Sequence, residues 1–207
     1  YQTGGQRNGI TRTVAAHEKV HPYAPELMPT IHDHGTIRNN AGAYLVEDTV
    51  VGETATRKQL ESLIFPLAQR LSKVHQGIGI KNTHLSRIVG GSYRVRWSEF
   101  VTAQRIDQTV DDAVQRLIDR NDLLGVSLTH GDLVSSNIQV NEHDFVLVDW
   151  EFAETKPIAF DLSKMIINVS DLDQAVNDMH AGLGGELGTK SGHYTFREQV
   201  ALSLVLT

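Results

Sequence analysis

Two carboxylates and one amide stand beside short apolar runs in the middle of the chain. Asp132 follows an apolar run and a tight polar turn, Asn137 opens the next apolar run, and Asp149 directly follows Phe145–Val148. Loops at strand ends are where rigid scaffolds display reactive groups. A carboxylate can accept the proton of an attacking hydroxyl, and carboxylate and amide oxygens suit Mg²⁺, which is usually shared with substrate phosphates. The segment therefore predicts chemistry on a phosphate.

The same segment resembles the aminoglycoside phosphotransferase and choline kinase superfamily, which has a protein-kinase-like fold. Three parts carry the resemblance: HGDLVSSN at 130–137, VDWEF at 148–152 and FDLS at 160–163. Protein kinases share the underlying layout of a catalytic-loop Asp, an Asn five residues on and a metal-binding Asp on the following strand. The DFG and APE motifs of protein kinases do not occur in this sequence.

The resemblance implies a role for each matching residue. Asp132 is the implied catalytic base, and Asn137 and Asp149 are the implied ligands of Mg²⁺ bound to the phosphates of ATP. His130 is implied to brace the catalytic loop. Asp161 is implied to tie its own segment to that loop.

The beginning of the chain predicts a short helix at Ile10–Val20. By resemblance this helix would carry the glutamate that pairs the ATP-binding lysine, and Glu18 is the best candidate; a solvated helix acid is the alternative. Neither a Gly-rich hairpin nor a strand lysine of the kinase type is found in the sequence. The chain is either N-terminally incomplete or a degenerate member without normal ATP binding. Its start at Tyr1 without Met and its end inside a predicted helix at Thr207 favour incompleteness.

Two strands follow the first helix, at Met28–His34 and Ala43–Val46. By resemblance they are the last strands of a kinase small lobe. The hinge that meets adenine through backbone groups would then include Tyr44, Val46 and Glu47. The apolar side chains of this stretch fit a buried core equally well.

The remainder of the chain is mainly helical by the spacing of its apolar residues. A helix at 162–169 would have Asp161 as its N-cap. A core stripe is expected in the longer helical region at 97–124, formed by Phe100, Val101, Ile106, Val110, Val114, Leu117 and Ile118. The other predicted helices cover 59–75, 97–124, 171–180 and 194–206, with loops at 76–91 and 156–158. The predicted fold class is α+β: a two-lobe, protein-kinase-like fold. It has an incomplete small lobe at 1–48 and a mainly helical large lobe at 49–207 that contains the catalytic segment 128–151.

Composition narrows the range of partners. The 207 residues are 40% apolar and 21% charged, which is ordinary for a globular protein. The absence of cysteine excludes disulfides and thiolate metal sites and fits a reducing compartment such as the cytoplasm. No apolar run approaches the roughly 20 residues that span a bilayer. A net charge of −6 argues against a nucleic-acid partner and is compatible with a cationic substrate.

These observations predict an ATP- and Mg²⁺-dependent kinase that phosphorylates a hydroxyl of a small molecule. An aminoglycoside-type amino sugar is the leading acceptor, which would make the protein an antibiotic-resistance enzyme. Choline or another amino alcohol is the alternative, although an aromatic cage for its ammonium could draw only on Trp150 and Phe152 near the site. A catalytically silent binding protein of kinase fold is the third possibility. The sequence does not set the oligomeric state.

Overall fold

The computed structural model describes residues 9–37, 42–89, 93–141, 144–167 and 169–206. Its helices, in chain order, are α1 (Gly9–Val20), α2 (Arg57–Ile78), α3 (Leu85–Val89), α4 (Tyr93–Gln104), α5 (Gln108–Arg120), α6 (Ala159–Ile166), α7 (Leu172–Gly182) and α8 (Phe196–Leu206). Its strands are β1 (Ile31–Ile37), β2 (Gly42–Glu47), β3 (Glu53–Thr54), β4 (Lys81–His84), β5 (Leu123–Thr129), β6 (Ile138–Val140), β7 (Phe145–Leu147) and β8 (Glu154–Pro157).

The strands form small antiparallel sheets. Strands β1 and β2 pair with each other, β6 lies between β3 and β7, and β5 lies between β4 and β8. The two three-stranded sheets position the catalytic segment, because β5 leads into it and the β6–β7 hairpin ends it. Helix and sheet are thus mixed as the α+β prediction requires. The division of the chain at residue 48 stays a prediction.

Helix α2 spans 22 residues and packs against α7. Thr56 forms a capping box with Gln59, so two backbone N–H groups at its first turn are satisfied. Its apolar residues recur every three or four positions and bury one face against α7 and α6. The predicted helix at 59–75 is present and is longer at both ends. The buried residues of α2 are Leu60, Ile64, Leu67, Ala68, Leu71, Ser72, Val74 and His75.

The helical region expected at 97–124 is mostly helical, but it consists of two helices, and its last two residues belong to β5. Arg105 has a left-handed backbone (φ 52°), which ends α4, and the Asp107 carboxylate accepts from Thr109 N–H to start α5. Asn121, also left-handed, ends α5 before β5 begins. The expected core stripe is wrong in part for the same reason. The break changes which faces are buried, so that Phe100 and Val110 are about half exposed.

Two predicted loops contain short polar strands, and the first of them also contains α3 and the end of α2. Strand β4 lies in the predicted loop 76–91, and β8 covers most of 156–158; both pair with β5. Their sequences are too short and polar to show the alternation that predicts a strand. Helix α6 begins at Ala159, three residues before the predicted start. Asp161 therefore lies inside the first turn, and its side chain does not cap the helix.

The apolar core is continuous from α1 through α2 to α6, α7 and α8, and includes the buried side chains of the catalytic segment. A smaller cluster lies among α3, α4, α5 and α8. Members of the main cluster from the catalytic segment are Leu133, Ile138, Phe145, Leu147 and Trp150. Among the described residues, no helix combines the length and apolar character needed to cross a bilayer.

Candidate active site

The β6–β7 hairpin brings the second and third polar groups of the catalytic segment together. Ile138 pairs with Leu147, so the residues just outside this pair also face each other. The backbone N–H of Val148 donates to the carbonyl oxygen of Asn137 at 3.0 Å. Asp149 is the residue after Val148, so it lies one position beyond this backbone hydrogen bond to Asn137.

The side chain of Asn137 closes the loop that begins at Asp132. Its Nδ2 donates to the backbone carbonyl oxygen of Asp132 at 2.9 Å. The side chain is buried, and among the described residues its Oδ1 receives only a long hydrogen bond of 3.4 Å from Ser136 Oγ. Because the amide nitrogen is committed to the loop, the amide oxygen retains acceptor capacity for a metal ion.

His130 links the two backbone stretches that carry the acids. Its Nδ1 accepts from the backbone N–H of Asp132 at 3.3 Å, so Nε2 carries the ring proton and donates to the Val148 carbonyl oxygen at 2.9 Å. The ring is fully buried and packs against Trp150 with a centroid distance of 4.6 Å. With both nitrogens engaged, the imidazole connects the backbone of Asp132 to the residue before Asp149.

Asp161 holds the turn from α6. Its two carboxylate oxygens accept from the backbone N–H of His130 at 2.6 Å and from that of Gly131 at 2.9 Å. Gly131 has a positive φ of 85°, which the turn requires and which glycine adopts without penalty. Burial raises the pKa of Asp161, and the two backbone donors oppose that rise.

Asp149 has an unusual backbone. Its φ of 65° and ψ of 59° place it in the left-handed region, which costs energy for a residue with a Cβ. Such conformations cluster at functional sites, where the surrounding structure enforces them. Trp150, buried with its Nε1 donating to the Leu147 carbonyl oxygen at 3.1 Å, fixes the chain on the other side. In the described chain the Asp149 carboxylate accepts no hydrogen bond, and it faces a cleft.

The cleft has a volume of about 210 Å³ and lies between β2, α1 and the end of β7. Three carboxylates line it: Asp149, Glu151 and Glu47. Burial raises the pKa of Glu47. The remaining lining residues are Gly9, Ile10, Thr13, Met28, Pro29, Ile31, Leu45, Val148 and Trp150.

Only one of the residues predicted to lie on the nucleotide side of the site lines this cleft. Glu47 lines it together with Leu45, whereas the side chains of Tyr44 and Val46 are exposed and not among its lining. Alternation along β2 explains this division, and the Tyr44 hydroxyl donates to Asp33 Oδ2 at 3.1 Å. Glu18 on α1 is exposed and is not a lining residue; Thr13 occupies the cleft side of that helix.

Sequence reasoning missed two residues of the site. Lys164 on α6 places its Nζ 2.9 Å from Asp132 Oδ1. Lys164 is three positions after Asp161, which puts both on the same helix face, so helical spacing from Asp161 was a usable signal. Glu151, within the predicted VDWEF stretch, turns its side chain against Gly9 of α1.

The residues present fit a metal ion that completes its coordination with phosphate oxygens. Asn137 Oδ1 and the Asp149 carboxylate are hard oxygen donors, and Mg²⁺ commonly takes one or two protein carboxylates and leaves the other positions to phosphates and water. A self-sufficient protein cage is not seen in the described chain, since its His, Asp and Glu side chains form no group of three that could hold a metal.

Comparison with known proteins agrees with this architecture. A model of the phosphotransferase enzyme family matches residues 10–194. No curated protein sequence matches the chain. Three solved structures show the same fold at low identity. A choline/ethanolamine kinase family protein from Mesorhizobium loti has a TM-score of 0.60 and 14% identity over 98% of this chain and 67% of that one.

Two further solved structures share the fold at similarly low identity. The GDP and kanamycin complex of APH(2")-IIia has a TM-score of 0.61 and 14% identity over 96% of this chain and 72% of that one. The microcompartment-associated aminopropanol kinase has a TM-score of 0.56 and 13% identity over 100% of this chain and 74% of that one.

The fold and the catalytic segment define a phosphotransferase of protein-kinase-like fold that acts on hydroxyl groups. Because the family model spans most of its length, the chain belongs to the phosphotransferase enzyme family. The superfamily and the fold predicted from the three sequence motifs are thereby confirmed.

Proposed function

We propose that this protein transfers the γ-phosphoryl group of a nucleoside triphosphate, ATP in the first instance, to a hydroxyl of an amine-bearing small molecule. One observation carries the proposal. A single hydrogen-bonded segment holds the Asp132 carboxylate and the Asn137 amide oxygen between β5 and β6, and the Asp149 carboxylate just after β7 at the cleft. This set supplies a base and two metal ligands, as phosphoryl transfer requires.

In the proposed reaction Asp132 orients the acceptor hydroxyl and takes its proton. The acceptor oxygen forms a bond to the γ-phosphorus while the bond from that phosphorus to the bridging oxygen breaks. The electron pair of the broken bond leaves with the nucleoside diphosphate, and Asp132 later returns its proton to solvent. Most of the rate enhancement would come from positioning and electrostatic stabilisation.

Asn137 and Asp149 would hold Mg²⁺ on the phosphates of the nucleotide. The ion would neutralise charge on the phosphates as the reaction proceeds. The geometry supports this assignment because Asn137 Oδ1 and the Asp149 carboxylate retain lone pairs while the rest of the segment is hydrogen-bonded.

An amino sugar is the leading acceptor. The structural neighbours include a complex with kanamycin, a choline/ethanolamine kinase family protein and an aminopropanol kinase. Kanamycin, choline, ethanolamine and aminopropanol all carry an amine or ammonium group and a hydroxyl. The net charge of −6 suits a cationic acceptor. A choline cage would need free aromatic faces, but Trp150 is buried against His130, and the Phe152 ring already faces the Arg12 guanidinium at 5.8 Å.

A second candidate is a kinase-fold protein that binds a small molecule without turnover. One observation favours it: the described residues that line the cleft include three acids and no lysine or arginine. Nucleotide phosphates would then meet repulsion unless a metal ion came with them. The two candidates differ in a single measurable property, the release of diphosphate.

The deciding experiment measures ADP and GDP release from the Mg²⁺ complexes of ATP and GTP. Kanamycin, choline, ethanolamine, aminopropanol and simple sugars serve as acceptors. Asp132→Ala should lower turnover by at least about 100-fold, the usual contribution of a positioned base, and should leave nucleotide affinity unchanged. Asp119→Asn, which alters an exposed acid paired with Arg94, is the matched control and should keep full activity.

The outcomes separate the candidates. Turnover of one acceptor class that is lost in Asp132→Ala identifies both reaction and substrate. Nucleotide binding without diphosphate release for any acceptor, water included, would favour the silent binding protein. A wild-type turnover rate in Asp132→Ala would exclude Asp132 as the base.

A further inference from the structure

Lys164 makes a direct contact with the proposed catalytic base. Its Nζ lies 2.9 Å from Oδ1 of Asp132 and donates to the carbonyl oxygen of Gly131 at 3.3 Å. The Lys164 side chain is only 20% exposed and that of Asp132 is 35% exposed. A hydrogen bond between two charged groups is shorter and stronger than a neutral one, so this contact restricts the carboxylate more than a solvated ion pair would.

Helix α6 holds the His-Gly-Asp turn through two side chains on one face. Asp161 accepts from the N–H of Gly131, and Lys164, three residues on, donates to the carbonyl oxygen of the same glycine. Gly131 is therefore held at both of its backbone polar groups by one helix. The residue that follows it is Asp132, whose carboxylate is the remaining partner of Lys164.

The two oxygens of Asp132 are consequently not equivalent. Oδ1 is engaged by Lys164, whereas Oδ2 accepts no hydrogen bond in the part of the chain that the structure describes. With one oxygen fixed, rotation of the carboxylate about χ2 is restricted and Oδ2 is held in one direction. An acceptor hydroxyl needs an oxygen in a defined place within hydrogen-bond reach.

We propose that Lys164 is a positioning residue, which binds Oδ1 of Asp132 and thereby presents Oδ2 to the acceptor hydroxyl. This inference rests on the proposed kinase function. In it, the acceptor proton passes to Oδ2, the acceptor oxygen bonds to the γ-phosphorus, and the nucleoside diphosphate leaves with the electron pair of the broken bond. Lys164 keeps its own protons throughout and acts through Asp132.

A purely structural role for Lys164 is the alternative, since its ammonium also lies 5.3 Å from the Phe160 ring. Lys156 offers a matched comparison. Its Nζ lies over the same ring at 4.0 Å, but it pairs with Glu154 at 2.6 Å rather than with Asp132. Replacing either lysine by Met keeps an unbranched apolar chain on Phe160, so only the Lys164 change removes the contact with the base.

The test compares Lys164→Met, Lys164→Arg and Lys156→Met with wild type. It measures kcat and KM for the best acceptor of the panel above, and diphosphate release with water as acceptor. Loss of alignment at the reacting group can cost up to about 100-fold. We expect Lys164→Met to lower kcat by about 10- to 100-fold with KM for nucleotide unchanged, Lys164→Arg to recover most of that loss, and Lys156→Met to match wild type.

The denaturant concentration at the midpoint of unfolding is measured for wild type and for each variant alongside the kinetics. Wild-type kcat in Lys164→Met, with Asp132→Ala inactive, would overturn this inference and leave the proposed function intact. Equal losses of kcat and stability in both Met variants would assign Lys164 to the fold alone. Absence of diphosphate release from wild type with every acceptor, water included, would overturn the proposed function and this inference with it.

Discussion

Gly131 and Phe152 approach each other so closely that a Cβ on Gly131 would lie 2.0 Å from the carbonyl oxygen of Phe152. That carbonyl belongs to the backbone of the segment after Asp149 and cannot swing away as a flexible side chain would. The contact joins the turn before the proposed base to the segment after the proposed metal ligand. Glycine is required here for space as well as for its positive φ.

Substitution by alanine separates these two requirements. Gly131→Ala should lower the free energy of unfolding by more than about 2 kcal/mol, because it adds a backbone clash to the cost of a left-handed Cβ. Gly184→Ala is the matched control, since Gly184 has a φ of 94° and a Cβ there would meet no heavy atom within 4 Å. The difference between the unfolding free energies of the two variants, measured in denaturant, gives the cost of the clash alone. Equal losses of unfolding free energy in both variants would show that Phe152 can move away.

Asp149→Asn tests the metal assignment without changing the backbone preference, because asparagine and aspartate both visit the left-handed region that other non-glycine residues avoid. Asp149→Asn should keep wild-type stability and lose at least about tenfold of the Mg²⁺-dependent nucleotide affinity, as expected when a charge-assisted contact is removed. Affinity measured without Mg²⁺ is the internal control and should not fall. Unchanged Mg²⁺-dependent affinity in a titration would exclude Asp149 as a ligand.

Asn137 is expected to need its nitrogen for the fold and its oxygen for the metal. Asp at this position keeps an oxygen ligand but sets a second acceptor against the Asp132 carbonyl oxygen, where Nδ2 now donates at 2.9 Å. Asn137→Asp should therefore cost about 1–3 kcal/mol of unfolding free energy. Asn137→Ala should cost less, because the Asp132 carbonyl still accepts from Val134 N–H. The reverse order of stabilities would contradict this interpretation of the amide.

The catalytic segment could be predicted because its information is local. Asp132, Asn137 and Asp149 lie within one short stretch, and the turn residues and apolar runs that position them are its immediate neighbours. The long apolar repeat of α2 is local in the same sense, and the helix it predicts is present.

Features that depend on pairing with a distant part of the chain were not predictable. Strand β4 exists because β5 offers it backbone partners, not because its polar sequence favours a strand. The spacing of Lys164 from Asp161 indicates its helix face, but its contact with Asp132 depends on how α6 packs against the turn, 32 residues away. Likewise, the face of β2 on which Tyr44 and Val46 lie is set by the pairing of β2 with β1 and not by the apolar character of these residues.

His75 gives the protein a pH dependence whose sign can be worked out. Burial lowers its pKa to about 4, and neither ring nitrogen has a hydrogen-bond partner in the described chain. The unfolded histidine, at 6.5, binds a proton first as pH falls, so the free energy of unfolding should decrease below about pH 6.5 by up to roughly 3 kcal/mol. Denaturant unfolding at pH 7.5 and 5 should show about 2 kcal/mol of this loss, both in wild type and in the destabilised control Val74→Ala. His75→Gln should show a smaller loss, and an undiminished loss would assign the acid sensitivity to other groups.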